Sequence, residues 1–363
     1  MKKLGMKNNL LVTSLIVAFA FFTTNKSDAQ NTPEWKQHDM SYPFPPVVNP
    51  GISSTQDQVG SAPSDAIILF DGKDLDQWRS MDGSPAEWKI EDGLLVAAEG
   101  RNKGIRTLQN FGDVQLHVEW VTPNPPDDVG QRRGNNGVQI MGKYEVQILD
   151  SYESTTIPHG QAAAIYSQFP PQVNASRPPG QWQSYDIIFR APSFDVYGNV
   201  KEKAIVTVFH NGILVHDHME LKGLHSWMGI IKYEAHPEKL PLVLQSEPCT
   251  PVKFRNIWLR ELKPLPVPEP ESIREISLSR QVLNDYEGTY TMQNGRKLNV
   301  ERENNHLVIK LYGSERLFYA SSEVDFFAKD IDFAFRMKLD ENGKAKGMVF
   351  RFIDEEVEGI KED

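Results

Sequence analysis

The chain has 363 residues, of which 39% are hydrophobic, a share that supports packed cores and excludes a disordered protein. Its net charge of −10, without any long basic run, excludes the clustered Lys and Arg of a nucleic-acid surface and favours an uncharged substrate. Cys249 is the only cysteine, so neither an intrachain disulfide nor a cysteine-based zinc site is available.

The first thirty residues follow a secretory pattern. Lys2, Lys3 and Lys7 precede the apolar run LLVTSLIVAFAFF, and Ser27 and Ala29 supply small residues for cleavage before Gln30. That run is short for a bilayer core, so residues 1–29 are expected to be removed as a signal peptide. The mature chain is then exported, to the periplasm or outside the cell, with no transmembrane anchor. Residues 30–65 are rich in Pro and Ser, hold no sustained period, and read as an extended leader that drapes over the next domain or stays mobile.

From 66 to 262 the chain is a series of short β-like runs separated by turn signals. Asp92-Gly93 and Asn211-Gly212 sit between apolar runs, where hairpin turns belong. Hardly any stretch sustains a helical period. Many short strands at this spacing mean an antiparallel sandwich or barrel, and the length suffices for a two-sheet jelly roll.

Inside this span, GKYEVQILDS (142–151) alternates as a strand does. Tyr144, Val146 and Ile148 share one face, and Glu145 and Gln147 share the other. A β-bulge at Leu149 would turn Asp150 onto the face of Glu145 and aim two carboxylates and an amide at one point. The plain alternative is a solvated sheet face with Asp150 entering a turn. The preceding loop, RRGNNG, either presents Arg133, Asn135 and Asn136 as donors or simply turns the chain.

Downstream, His159, Tyr166 and Gln168 surround a run of alanines, and Trp182 follows, an indole that serves as core or as sugar platform. His210, His216 and His218 crowd one hairpin, with His216 and His218 on a common strand face. Two histidines still fall short of the three or four ligands a zinc site needs. No GxSxG elbow, P-loop or GxGxxG fingerprint is present, which leaves serine-hydrolase and nucleotide-cofactor chemistry without support. A sandwich with a carboxylate-bearing strand among Asn, Gln, His, Tyr and Trp suits a carbohydrate. Beyond it, KPLPVPEPES lies in a Pro-rich linker over 263–275, and residues 276–363 read as a small second antiparallel β domain of barrel type.

The motifs LFDGKDLDQW, WKIEDGLLV, GNNGVQIMGKYEVQILDS, PPGQWQSYDIIF, VFHNGILVHDH, PLVLQ and VKFRNIWLREL, in this order, closely resemble the bacterial 3-keto-disaccharide hydrolase family over about 66–262. Residues 276–363 more loosely resemble a lipocalin-like β domain. The first resemblance implies an all-β, concanavalin-like jelly-roll sandwich. It also implies cleavage of glycosides already oxidised to a ketone at carbon 3: the ketone acidifies the carbon-2 proton, a base forms an enolate, the group on carbon 1 leaves, and water adds. On this sequence it points to Glu145 and Asp150 as the acid/base pair and Gln147 as an orienting group. Arg133, Asn135 and Asn136 would stabilise the enolate, with His159 or Tyr166 as alternative proton carriers and Gln168 and Trp182 as further substrate contacts. A divalent metal bound through Glu145 or Asp150 is compatible with it; a nucleotide cofactor is not. Two other readings stay open. E-x-Q-x-x-D echoes the E-x-D-x-x-E strand of retaining glucanases of the same fold, with Gln147 as a departure. The cleft could also serve a non-catalytic carbohydrate-binding protein.

Overall fold

The computed structural model describes residues 37–38, 44–126, 128–248, 251–263, 273–311, 313–352 and 355–362. Residues 1–29, expected to be a signal peptide, most of residues 30–43, Cys249 and linker residues 264–272 lie outside them. The chain divides into two compact units, Pro46–Leu265 and the pair of segments Met1–Pro45 and Pro266–Asp363.

The first unit is a sandwich of two antiparallel sheets. The larger runs in the order Ile213–Glu220, Ile205–His210, Gln183–Arg190, Val114–Val121, Lys253–Glu261, Leu94–Val96, Lys89–Glu91, with Ile67–Phe70 also paired to Lys253–Glu261. The smaller runs Trp78–Ser80, Ile105–Phe111, Leu240–Leu244, Asn136–Ile140, Tyr144–Ile148. One apolar core joins the sheets: Leu116, Val118, Tyr185 and Phe254 of the larger pack in the same cluster as Ile105, Val138, Val146 and Ile148 of the smaller. Alternation along each strand puts these residues inward and leaves a second, outward set for other work. The turns at Asp92-Gly93 and Asn211-Gly212 form as expected, with positive φ at all four residues (53°, 75°, 53° and 79°), as a two-residue hairpin requires.

Residues 46–62 lie on this unit as a strap. Arg255 Nη2 donates to the carbonyl of Thr55 at 2.6 Å, Asn256 Nδ2 to Ser54 Oγ at 3.2 Å, and Gln56 exchanges two hydrogen bonds with the backbone of Trp182. The draped form of the leader is therefore the one found over these residues. A register shift between Arg255 and Trp258, with Asn256 in the left-handed region at φ 48°, re-aims both side chains onto it.

The second unit is a closed eight-stranded antiparallel barrel from Gly288–Met292 to Glu355–Lys361. Its interior is filled by Phe318, Phe326, Phe335 and Phe350. The helix Arg280–Tyr286, capped by Ser279, buries Leu283 and Tyr286 against that core.

Candidate active site

The strand Tyr144–Ile148 sits at the margin of the smaller sheet with the expected alternation: Tyr144, Val146 and Ile148 enter the core, and Glu145 and Gln147 face outward. Its ladder with Asn136–Ile140 is regular, setting Gln139 opposite Glu145 and Gly137 opposite Gln147. Its other side is covered by the alanine-rich segment, since Gln147 N donates to Ala164 O at 2.9 Å and Tyr166 N to Glu145 O at 3.1 Å. The runs of small residues therefore bring a backbone close, and Glu145 and Gln147 become 3% and 1% exposed at the floor of a cleft of ≈ 550 Å³.

Glu145 is the electrostatic centre of this cleft. Burial pushes its carboxyl up to about 7, and the charge of Glu247 adds to the shift, against a hydrogen bond from Gln139 Nε2 to Oε2 at 3.1 Å. His225 Nε2 stands 3.4 Å from the same oxygen. The other ring nitrogen of His225 donates to the carbonyl of Lys143 at 2.9 Å, so the neutral ring turns its lone pair toward Glu145. Burial lowers the His225 pKa, which favours that neutral form. Gly137 is needed beneath the carboxylate, because a Cβ there would meet Gln245 Oε1 at 2.7 Å and Glu145 Oε1 at 2.9 Å.

Around Glu145 the amides are fixed in orientation by their partners. Asn135 Nδ2 donates to Gln131 O at 2.7 Å, which leaves Asn135 Oδ1 to accept from Gln147 Nε2 at 3.0 Å. Gln147 Oε1 is then a buried acceptor with no hydrogen-bond partner, and a buried acceptor left unpaired is costly until a donor reaches it. Tyr166 also lines the cleft, its phenol kept protonated by burial and by the charges of Glu145 and Glu247.

The expected partner of Glu145 lies elsewhere. The ladder shows no bulge, the strand ends at Ile148, and Asp150 is outside the cleft lining. Arg133 holds its Oδ2 through Nε at 3.0 Å and Nη2 at 2.7 Å, and Tyr152 N donates to Oδ1 at 3.1 Å. Arg133 is thereby committed to Asp150, and it is Arg132 that reaches the cleft. Asn136 is buried with its Oδ1 on Gly137 N, His159 is exposed on the short helix Pro158–Gly160, and Gln168 clamps Gly223 O and Lys222 N. Trp182 belongs to a separate depression beside the strap, under the guanidinium of Arg255 at 4.1 Å. His216 donates from Nε2 to Ala163 O at 2.9 Å and is buried, whereas His218 is exposed, so the two do not face a common ligand. His210 is buried against Gln183. Among the described residues no group of three or more His, Cys, Asp or Glu side chains is placed to hold a metal ion.

The family profile described as a 3-keto-alpha-glucoside-1,2-lyase-like domain matches residues 65–260, just over half of the chain. The chain belongs to that family. The lyase-like domain thus coincides with the sandwich that carries Glu145, and it marks the chain as carrying a carbohydrate-active enzyme domain. A crystal structure from Parabacteroides distasonis ATCC 8503, of a protein provisionally designated a glycosyl hydrolase, is 42% identical, with a TM-score of 0.58, over 62% of this chain and 94% of that one. Two further chains from that organism with the same designation are 18% and 22% identical, cover 55% and 54% of this chain and 94% and 99% of their own, and reach TM-scores of only 0.42 and 0.39. No curated protein gives a significant match.

Several groups at the cleft carry no motif that singles them out in the sequence, among them Gln139, His225 and Glu247. Gln139 was legible as the residue paired across from Glu145 once Asn136–Ile140 and Tyr144–Ile148 are read as a hairpin. Glu247 follows two residues after Gln245, beyond the strand Leu240–Leu244, where Gln245 Nε2 donates to its Oε1 at 3.0 Å. His225 lies on an irregular loop, with no local period to mark it.

Proposed function

We propose that this chain is an exported enzyme that cleaves 3-keto-disaccharides or 3-keto-glycosides by removal of the carbon-2 proton, elimination at carbon 1 and hydration. The observation that supports it most directly is Glu145, a buried carboxyl pushed up to about 7 at the floor of the cleft, with His225 Nε2 at 3.4 Å. A base whose pKa lies near the working pH is the most effective, and a ketone-acidified C–H needs such a base rather than the pair of a simple glycosidase.

In this scheme the ionised Glu145 takes the carbon-2 proton, and the electron pair moves toward the carbon-3 oxygen. Tyr166, held protonated, donates a hydrogen bond to that developing oxyanion. The carbon-1 bond to the leaving oxygen then breaks as the carbon-3 carbonyl re-forms, and the proton on Glu145 passes by way of His225 Nε2 to the leaving oxygen, so the leaving group departs as an alcohol and the base is reset. Water then adds across the carbon-1/carbon-2 double bond of the enone, its oxygen to carbon 1 and a proton to carbon 2. Gln147 Oε1 accepts from a sugar hydroxyl. Asp150 acts here by holding Arg133 and the loop above the cleft, not by touching substrate. Asp150 is already engaged by Arg133, and the described residues offer no three-ligand group, so no step is routed through a metal.

Purified protein incubated with matched native and 3-keto disaccharides, with and without chelator, tests the reaction. Turnover of the keto sugar alone, with carbon-2 hydrogen exchanged in deuterated water, is the expected result. A second reading, a retaining glucanase, is favoured by one observation: Glu247 shares the cleft with Glu145. Turnover of the native sugar would select it, and binding without turnover of either would select a carbohydrate-binding protein.

A further inference from the structure

Two residues beyond His225, on the same loop, Trp227 is 79% exposed and lines the cleft together with Ile231. Large indoles are usually among the more buried side chains of a domain, so one left in water at the mouth of a cleft calls for an occupant. The loop that carries it is held in place. Leu224 N donates to Ile231 O at 2.8 Å, His225 N to Lys143 O at 3.1 Å, and Met228 N to Ser226 Oγ at 3.1 Å. Gly223 packs so tightly on Ile231 O that a Cβ would stand 2.0 Å from it. The backbone at Trp227 is thus set by the bonds that set His225, and a ligand reaching Glu145 past His225 continues along the indole.

We propose that Trp227, with Ile231 beside it, forms an outer subsite that stacks on the leaving group, and that the enzyme selects glycosides whose leaving group is a pyranose ring with an apolar C–H face. This rests on the reading that the keto sugar itself occupies the floor at Glu145. In the proposed pose carbon 2 lies at that carboxylate and the carbon-1 substituent extends toward the cleft mouth, where Trp227 stands. The cleft volume of ≈ 550 Å³ falls in the range of pockets that enclose ligands of more than one ring. An indole face suits a sugar ring because it buries C–H groups while the hydroxyls around the ring edge stay hydrated.

The test uses the full chain in a Glu145→Gln background, which prevents turnover, with and without Trp227→Ala or Trp227→Tyr. Calorimetric titration compares a glucosyl-glucose disaccharide with methyl glucoside, as a 3-keto pair and as an unoxidised pair. Trp227→Ala should reduce the preference for the disaccharide about tenfold, and Trp227→Tyr should restore most of it. A preference unchanged by Trp227→Ala in both pairs overturns the subsite, as does an equal loss for both ligands, or no binding of either pair. A change in molecular mass of Trp227→Ala by light scattering, with sugar preference intact, likewise overturns it in favour of contact between copies. Turnover of the keto disaccharide by the protein with Glu145 intact is scored separately. If that fails while the Trp227 preference stands, the reaction is wrong and the subsite is right.

Discussion

Glu145 Oε2 lies 3.4 Å from His225 Nε2, and His225 Nδ1 is committed to the carbonyl of Lys143. Around neutrality the carboxyl therefore gains or loses its proton beside an imidazole that burial keeps in the neutral form. If ionised Glu145 is the base, kcat/KM should rise with pH through about 7 as the carboxyl loses its proton. Glu145→Gln should lose about a hundredfold or more in rate and abolish that limb. A variant with near-normal turnover would move the search for the base to Glu247.

The same carboxyl makes a stability prediction of known sign. Its folded pKa, about 7, lies above its ordinary value of 4.5, so the proton is bound more tightly in the folded chain. That contribution is complete below about 4.5 and lost as pH rises through about 7. Glu145→Gln removes the cost of charging a buried group, so its Tm should exceed that of the parent at pH 8 and match it at pH 4.5. Thermal unfolding at the two pH values measures the difference.

Gln139 is a positioning residue whose effect can be separated from folding. Its hydrogen bond at 3.1 Å favours the charged form of Glu145, so Gln139→Leu should move the rising limb of the pH profile to higher pH. At pH well above that limb the rate should recover. A uniform loss at every pH would mean that Gln139 touches substrate instead.

How much of this was legible in the sequence depends on how locally each feature is determined. The alternation over Tyr144–Ile148 and the Asn211-Gly212 turn follow from backbone geometry and a few adjacent residues, and both appear as read. The direction of Asp150 does not. It is fixed by Arg133, seventeen positions earlier, and that competition for the carboxylate outweighs the bulge that would have aimed it into the cleft. Glu247 and His225 stand about a hundred and about eighty residues after Glu145 in the chain: they reach it because Leu240–Leu244 inserts between Ile105–Phe111 and Asn136–Ile140, and because a loop bonds back to Lys143. Strand order of that kind leaves no periodic signature.

Asp150→Asn should therefore behave unlike Glu145→Gln. The pair with Arg133 is buried, with side-chain exposures of 3% and 15%, and breaking such a pair leaves an uncompensated guanidinium. The expected loss is roughly 3 kcal/mol of stability, with a fall in Tm at every pH above the carboxylate range. Any loss of rate should follow displacement of the loop that carries Gln131, Arg132 and Asn135. Normal stability with abolished turnover would instead return Asp150 to the reacting atoms.

The strap over residues 46–62 supplies the last prediction. His117 Nδ1 bonds Asp186 Oδ1 at 2.7 Å and Nε2 faces Glu119 Oε1 at 3.2 Å, while Glu119 also takes Arg255 at 2.6 Å and Asn256 at 2.7 Å, the two residues that hold Thr55 and Ser54. Burial opposes the charged imidazole, but the bonds to the two carboxylates outweigh it and hold His117 at about 9. Because this folded value lies above the ordinary 6.5, the stabilisation is complete below about 6.5 and is lost as pH rises through about 9. The parent should then lose Tm over that window relative to His117→Gln, which carries no titrating group there. Cleavage by an added protease within residues 46–62 should become faster over the same window in the parent only, since the strap is anchored through the Glu119 cluster. Parallel Tm curves for the two proteins from pH 6 to 9.5 would show that His117 does not hold the strap through its charge.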